Sequence, residues 1–128
     1  MYGPYFPLHN DKYLKIRVLP KLLSERSEMF RFYSCKFRIE RNKENTARVT
    51  IGKQFNIANC FALECSSFGY FKKETRATVQ FKETDMIEFS RCLCECILEY
   101  SLVMERDDKT RSALIEKINI KRKKPKIP

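Results

Sequence analysis

The 128-residue chain is 43% hydrophobic and 33% charged, with a formal net charge of +10, a length and composition that fit one domain with an ordinary core. No apolar run approaches the ~20 residues needed to cross a bilayer, so the sequence pattern excludes a membrane span. Six cysteines without an opening secretory signal, several of them inside apolar periodic segments, point to a reducing, cytoplasmic setting and not to a disulfide framework.

Residues 1–12 hold Gly3, Pro4, Pro7, Asn10 and Asp11 among aromatic rings, which predicts an irregular segment anchored by those rings. Between about Tyr13 and Glu28, Leu14, Val18, Leu19, Leu22 and Leu23 follow helical spacing, and Pro20 sets the expected helix start near Leu19. Cys35, Phe37 and Ile39 alternate with Lys36, Arg38 and Glu40, the pattern of a half-buried strand. After a polar connection over 41–45, Asn45 or Thr46 is positioned to cap a short helix ending near Phe55, with Val49, Ile51 and Phe55 as partial core contacts.

The run Asn59 to Gly69 then places one carboxylate, Glu64, among apolar or small residues with no Lys or Arg beside it. Phe61 and Leu63 alternate with Cys60 and Ala62, which predicts a short strand buried on both faces. A carboxylate at such a strand end loses hydration and gains proton affinity, which suits a general acid or base; the structural alternative is a strand-end glutamate that reaches solvent. A loop over Tyr70–Arg76 and a short strand over Thr78–Phe81 follow. Thr84 is the expected cap of the longest helix, about Asp85 to Met104, whose stripe of Met86, Phe89, Leu93, Cys96, Ile97, Tyr100 and Val103 reads as a core face. A short amphipathic helical extension is expected over 106–120. The tail, 121–128, carries Lys121, Arg122, Lys123, Lys124 and Lys126, half of the net charge; such a run is either a solvated end or a contact for acidic partners, including a nuclear-import receptor.

Cys92, Cys94 and Cys96 do not form a metal motif, because residues two apart on a helix point about 200° away from each other. His9 is the single histidine, and no HExxH, Walker A, GxGxxG or GxSxG motif occurs.

The segment order is nonetheless recognisable. Asn59-Cys60-Phe61-Ala62-Leu63-Glu64-Cys65-Ser66-Ser67-Phe68-Gly69 resembles the N-S-[YF]-T-[LMI]-E-[SA]-[ST]-F-x-G signature of the cytosolic zinc carboxypeptidases, a family that includes tubulin deglutamylases. Asn42 to Val49 is similar to that family's S-K-E-x-[TS]-[AG]-R-V segment, Phe32 to Phe37 to its F-x-x-C-x-F strand, and Tyr2-Gly3 to the Y-G that follows its third zinc ligand. The resemblance runs from Met1 to about Ser101. It implies an α/β fold, with residues 1–105 as the C-terminal portion of an α/β/α sandwich around a mixed sheet. By the same resemblance Glu64 is the catalytic glutamate, which deprotonates a zinc-bound water, and Arg48 lines the pocket that receives an acidic C-terminal side chain through bidentate pairing. Zinc is the family's cofactor, and acidic protein tails such as those of tubulin are the implied substrates, with an accompanying microtubule or cilium association.

Two departures qualify the implied activity. The family's H-x-x-E and D-L-H-G-H zinc-ligand motifs are absent from this sequence, which supplies no metal ligands, and Met1 stands just past the position of the third ligand. Cys60 and Ala62 replace the usual Ser and Thr. The expectation is therefore a piece of a peptidase that is inactive alone and needs a zinc-bearing N-terminal catalytic half. The alternative is a non-enzymatic module that binds polyglutamylated tails or an assembly partner. Nucleic acid is not an expected ligand, because no binding motif accompanies the basic tail.

Overall fold

The computed structural model describes residues 1–105 and Ala113. Among residues 1–105, three helices, α1 (Lys12–Arg26), α2 (Ala47–Gln54) and α3 (Glu83–Glu105), and one hairpin of β1 (Gly69–Lys72) and β2 (Ala77–Gln80) are joined by irregular segments with short 3₁₀ turns at Phe32–Ser34 and Arg41–Lys43. The mixed α/β composition agrees with the sequence-based expectation. The extension expected over 106–120, Ala113 aside, and the basic tail lie outside the described residues.

Helix α1 begins a full two turns before the expected start near Leu19, so Pro20 sits inside it. The Asn10 side chain accepts a hydrogen bond from the Lys12 N–H at 2.9 Å and so caps the first turn. Proline removes the donor that the Ile16 carbonyl would otherwise meet, a cost offset by embedding: Ile16, Arg17, Val18, Leu19 and Pro20 are all buried in succession. Arg17 tolerates this because its guanidinium lies 3.7 Å from the Tyr13 ring centre and 4.3 Å from that of Phe37. A charged residue buried between two rings hides the helical pattern from a count of apolar positions.

The core forms where α1 meets α3, around Leu19, Leu23, Phe30 and Cys96, with Phe61, Phe89, Leu93 and Tyr100 packed against it. Arg26 pairs with Glu99 and stands 3.8 Å from Glu95, joining the two helices at the surface. Helix α3 spans slightly more than expected; Thr84 is its second residue and not its cap, while Asp85 Oδ2 accepts from the Lys82 N–H at 2.8 Å. Its stripe is as expected except that Ile97 is 48% exposed and Cys92 takes part instead. Ile51 on α2 and Phe55 just past its end also face outward, at 43% and 64% exposed, whereas Val49 is buried. Thr46 does occupy the N-cap position of α2, although its hydroxyl donates to the Lys43 carbonyl instead of accepting from the helix. At the other end, Asn56 at φ 52 and the bond from the Ile57 N–H to the Gly52 carbonyl close α2 in a Schellman arrangement.

The two strands expected over 35–39 and 60–63 are each reduced to one bridge. Tyr2 pairs in parallel with Lys36 and antiparallel with Ala62, through Tyr2 N–H to Ala62 O at 2.8 Å, Ala62 N–H to Tyr2 O at 2.9 Å and Gly3 N–H to Lys36 O at 2.9 Å. The segment between them is short because Pro4 has no N–H to continue a ladder. One parallel and one antiparallel bridge give these three segments mixed pairing. Alternation over 35–39 persists in burial: Cys35, Phe37 and Ile39 are half-buried while Lys36 and Arg38 are exposed. The loop expected over Tyr70–Arg76 is instead strand β1 followed by a four-residue turn, with Arg76 at φ 51. Gly69 is required there, because a Cβ would lie 2.0 Å from the Val79 carbonyl oxygen on β2.

Candidate functional site

Glu64 follows the Ala62 bridge by two residues and is exposed, as are Cys65, Ser66 and Ser67; Leu63 is 37% exposed. The strand buried on both faces is thus corrected: Phe61 packs on the α1–α3 core and Cys60 lies against Gly52 of α2, yet burial ends at Leu63 and Glu64 lies beyond it. The dehydration anticipated for this carboxylate is not present in the arrangement. The segment is nevertheless held in place from both ends. Asn59 donates through Nδ2 to the Tyr100 hydroxyl on α3 at 2.5 Å, and Cys65 Sγ lies 4.0 Å from Met86 Sδ. Burial raises the Tyr100 hydroxyl pKa, and the bond from Asn59 opposes that rise.

Arg48, on the first turn of α2, is half-buried and donates through Nη1 to the Gly3 carbonyl at 2.7 Å. Gly3 is itself constrained, since a Cβ there would lie 2.8 Å from the Phe37 ring. Arg48 therefore ties α2 to the Tyr2 bridge segment, a structural duty that exists whatever else it does.

Arg48 and Glu64 meet in one cleft of about 320 Å³, beside Lys36, Arg38, Glu40 and Lys43. Four cations and two carboxylates give this cleft a positive balance, moderated where Glu40 stands 3.4 Å from Lys36 and 3.7 Å from Arg38. Lys36, Arg38 and Lys43 were not evident as site residues from sequence. The only signal was that Lys36 and Arg38 share the polar face of an alternating run, which ordinarily means solvent.

A second cavity, about 390 Å³, opens on the opposite side of the Leu63–Ser66 segment toward Phe30, Phe71, Met86 and Phe89, with Arg31 and Glu64 among its polar lining. Apolar walls with few convergent polar groups are typical of binding cavities.

Among the described residues no group of three or more His, Cys, Asp or Glu side chains is placed to hold a metal ion. The cysteines of α3 diverge: Cys96 is buried, Cys92 half-buried and Cys94 exposed. Burial first, and then the neighbouring Cys92, push the Cys96 thiol up from 9.0 to about 11, the opposite of what a thiolate ligand needs. The described residues do not fit a zinc site. No helix among the described residues is long and apolar enough to cross a membrane.

No protein-family model matches the chain. It is similar to cytosolic carboxypeptidase 3 of Bos taurus, 35% identical over 89 residues, which is 69% of this chain and 9% of that protein. Cytosolic carboxypeptidase 2 of Danio rerio is 30% identical over 101 residues, 78% of this chain and 14% of the relative. Cytosolic carboxypeptidase 6 of Homo sapiens is 28% identical over 133 aligned residues, covering 100% of this chain and 26% of the relative. The chain thus spans between 9% and 26% of the length of these relatives.

Proposed function

The chain belongs, as a segment, to the cytosolic carboxypeptidase family, and on that premise we propose that residues 1–105 form the C-terminal portion of a zinc metallocarboxypeptidase catalytic domain of α/β/α sandwich type. In this reading the complete enzyme removes C-terminal residues, glutamate above all, from acidic protein tails such as those of tubulin, in the cytoplasm and in association with microtubules or cilia. Glu64 acts as the catalytic carboxylate and Arg48 receives the acidic side chain. The observation that supports the reading is that these two residues, distant in sequence, line one positively balanced cleft. A guanidinium in such a cleft meets a carboxylate in bidentate geometry, which gives a physical basis for acidic selectivity.

The metal-ligating residues belong outside these 128 residues, so the chain alone is inactive in this proposal. A lone exposed carboxylate leaves water near its bulk acidity and yields no useful hydroxide. The test is glutamate release from a glutamate-ended peptide with Zn²⁺, by the purified chain alone and after addition of a zinc-bearing N-terminal catalytic portion. No release by the chain alone, and release on addition that Glu64→Gln abolishes and whose preference for glutamate Arg48→Ala removes, is the expected pattern. Zinc-dependent release by the chain alone, or release indifferent to Glu64→Gln, would overturn the assignment.

A further inference from the structure

Helix α3 is apolar on two opposite sides. One stripe, through Phe89, Cys96 and Val103, faces the core. Across from it Ile87, Cys94, Leu98 and Leu102 are all exposed, and at about 100° per residue they share an arc of about 80°. A helix with apolar residues on more than one side has a second surface to bury. This one is bordered by Glu88 and Glu95, which Arg91 meets at 3.1 and 3.3 Å. The whole of α3 carries six acidic residues and one basic residue, so two copies of it repel each other and a basic partner fits.

The chain that follows α3 has the complementary character. Residues 106–128 carry nine basic residues against three acidic ones. Leu114, Ile115 and Ile118 have helical spacing along one face, and Ala113, which falls off that face, is helical and exposed. A straight continuation of α3 would bring the polar Asp107 and Thr110 into line with Cys96 and Val103 on the core side. A turn over 106–108 instead leaves Asp108 as a helix cap, and a connection of that length ordinarily joins antiparallel helices.

We propose that residues 109–120 fold back along α3 as an antiparallel helix, seating Leu114, Ile115 and Ile118 over Leu102, Leu98 and Cys94, with the basic run 121–126 passing Glu95 toward Glu88. The basic run thereby meets acidic groups of its own chain first, and an outside acidic ligand has to displace it. Both partners lie within this sequence, so the contact stands or falls apart from the peptidase assignment.

The test is alkylation of the full chain by N-ethylmaleimide, read site by site by peptide mass spectrometry, together with amide hydrogen exchange over 109–120. Cys94 lies under the docked segment, and the exposed Cys65, outside the contact, is the internal reference. Leu114→Ser with Ile118→Ser speeds alkylation of Cys94 about tenfold, while Cys65 and the exchange rates of α1 stay as they are. Leu98→Ser, on the other side of the contact, also speeds alkylation of Cys94 and accelerates exchange over 109–120. Raised salt, or Glu88→Lys with Glu95→Lys, acts in the same direction and more weakly. Equal alkylation of Cys94 with and without the Leu114 and Ile118 substitutions would overturn the proposal. So would exchange over 109–120 that is indifferent to Leu98→Ser, the behaviour of an α3 that simply continues, or shielding of Cys94 that grows with protein concentration, since a second copy would then be the occupant.

Discussion

The α1–α3 core and the Tyr2 bridge region use the same kinds of residue and reach very different degrees of order. Helices satisfy their backbone groups internally, so α1 and α3 need only one apolar face each to dock, and Leu23 and Cys96 end with no exposed surface. A strand satisfies nothing by itself. Cys35–Ile39 and Cys60–Leu63 have the alternation of strands, yet each finds only one residue of partner and forms one rung. The candidate site lies wholly in the second kind of region, with Glu64 two residues beyond a rung and Arg48 bonded to the bridging segment. Its geometry therefore depends on contacts made by backbone from elsewhere.

The largest expected effect tests the core side of this contrast. Leu23→Ala removes a fully buried side chain between α1 and α3 and should cost about 3 kcal/mol. Because the bridge region leans on the same core through Phe61 and Met1, urea denaturation monitored by helical circular dichroism and by exchange at Tyr2 should show both lost together. Loss of one without the other would mean that the two regions are independent.

Gly69→Ala comes next. A Cβ at 2.0 Å from the Val79 oxygen forces the hairpin apart, at about 2 kcal/mol, and amide protection at Val79 should drop while α1 keeps its exchange rates. A crystallographic or NMR structure of the variant with the Gly69–Gln80 pair intact would remove this account of the glycine.

Arg48→Ala separates the regions most cleanly. It deletes the bond to the Gly3 carbonyl, worth about 1 to 2 kcal/mol for a charged donor. Exchange at Tyr2 and Lys36 should accelerate with little change in the melting of α1 and α3. An unchanged rate at Tyr2 would leave Arg48 without its structural duty.

Alkali acts on the core through Cys96. The Cys96 thiol has a folded pKa of about 11 against an ordinary 9.0, so its neutral form is the one the fold favours. The sign follows: the associated stability is fully present below pH 9.0, declines as the pH rises and is lost through about pH 11. Denaturant midpoints should fall over that window, and Cys96→Ala should flatten the decline even though it creates a small cavity. The smallest effect belongs to Arg26→Gln, since its pairs with Glu95 and Glu99 are partly exposed, and a change under about 1 kcal/mol is expected by thermal melting.

Much of the first region was legible because helical periodicity is a local signal. The spacing from Met86 to Val103 marked α3 and most of its buried stripe, and Thr46 marked the start of α2. The failures there have local causes too: Arg17 is buried by stacking between rings, and Pro20 is accommodated within a helix that its position would ordinarily begin. For the site, the sequence singled out Glu64 and Arg48, and they do share a cleft. It did not reveal Lys36, Arg38 and Lys43 beside them, because a cation on the polar side of a strand looks the same whether it faces solvent or a cavity.

By itself the sequence determined the family, the helices and the identity of the residues around which a site is proposed, since each of these is written in short-range spacing and residue type. Only the tertiary structure decided how exposed Glu64 is, what holds Arg48 and which cations share their cleft. Those properties depend on which backbone lies alongside, and strand pairing is set by partners remote in sequence, about which local pattern carries no information.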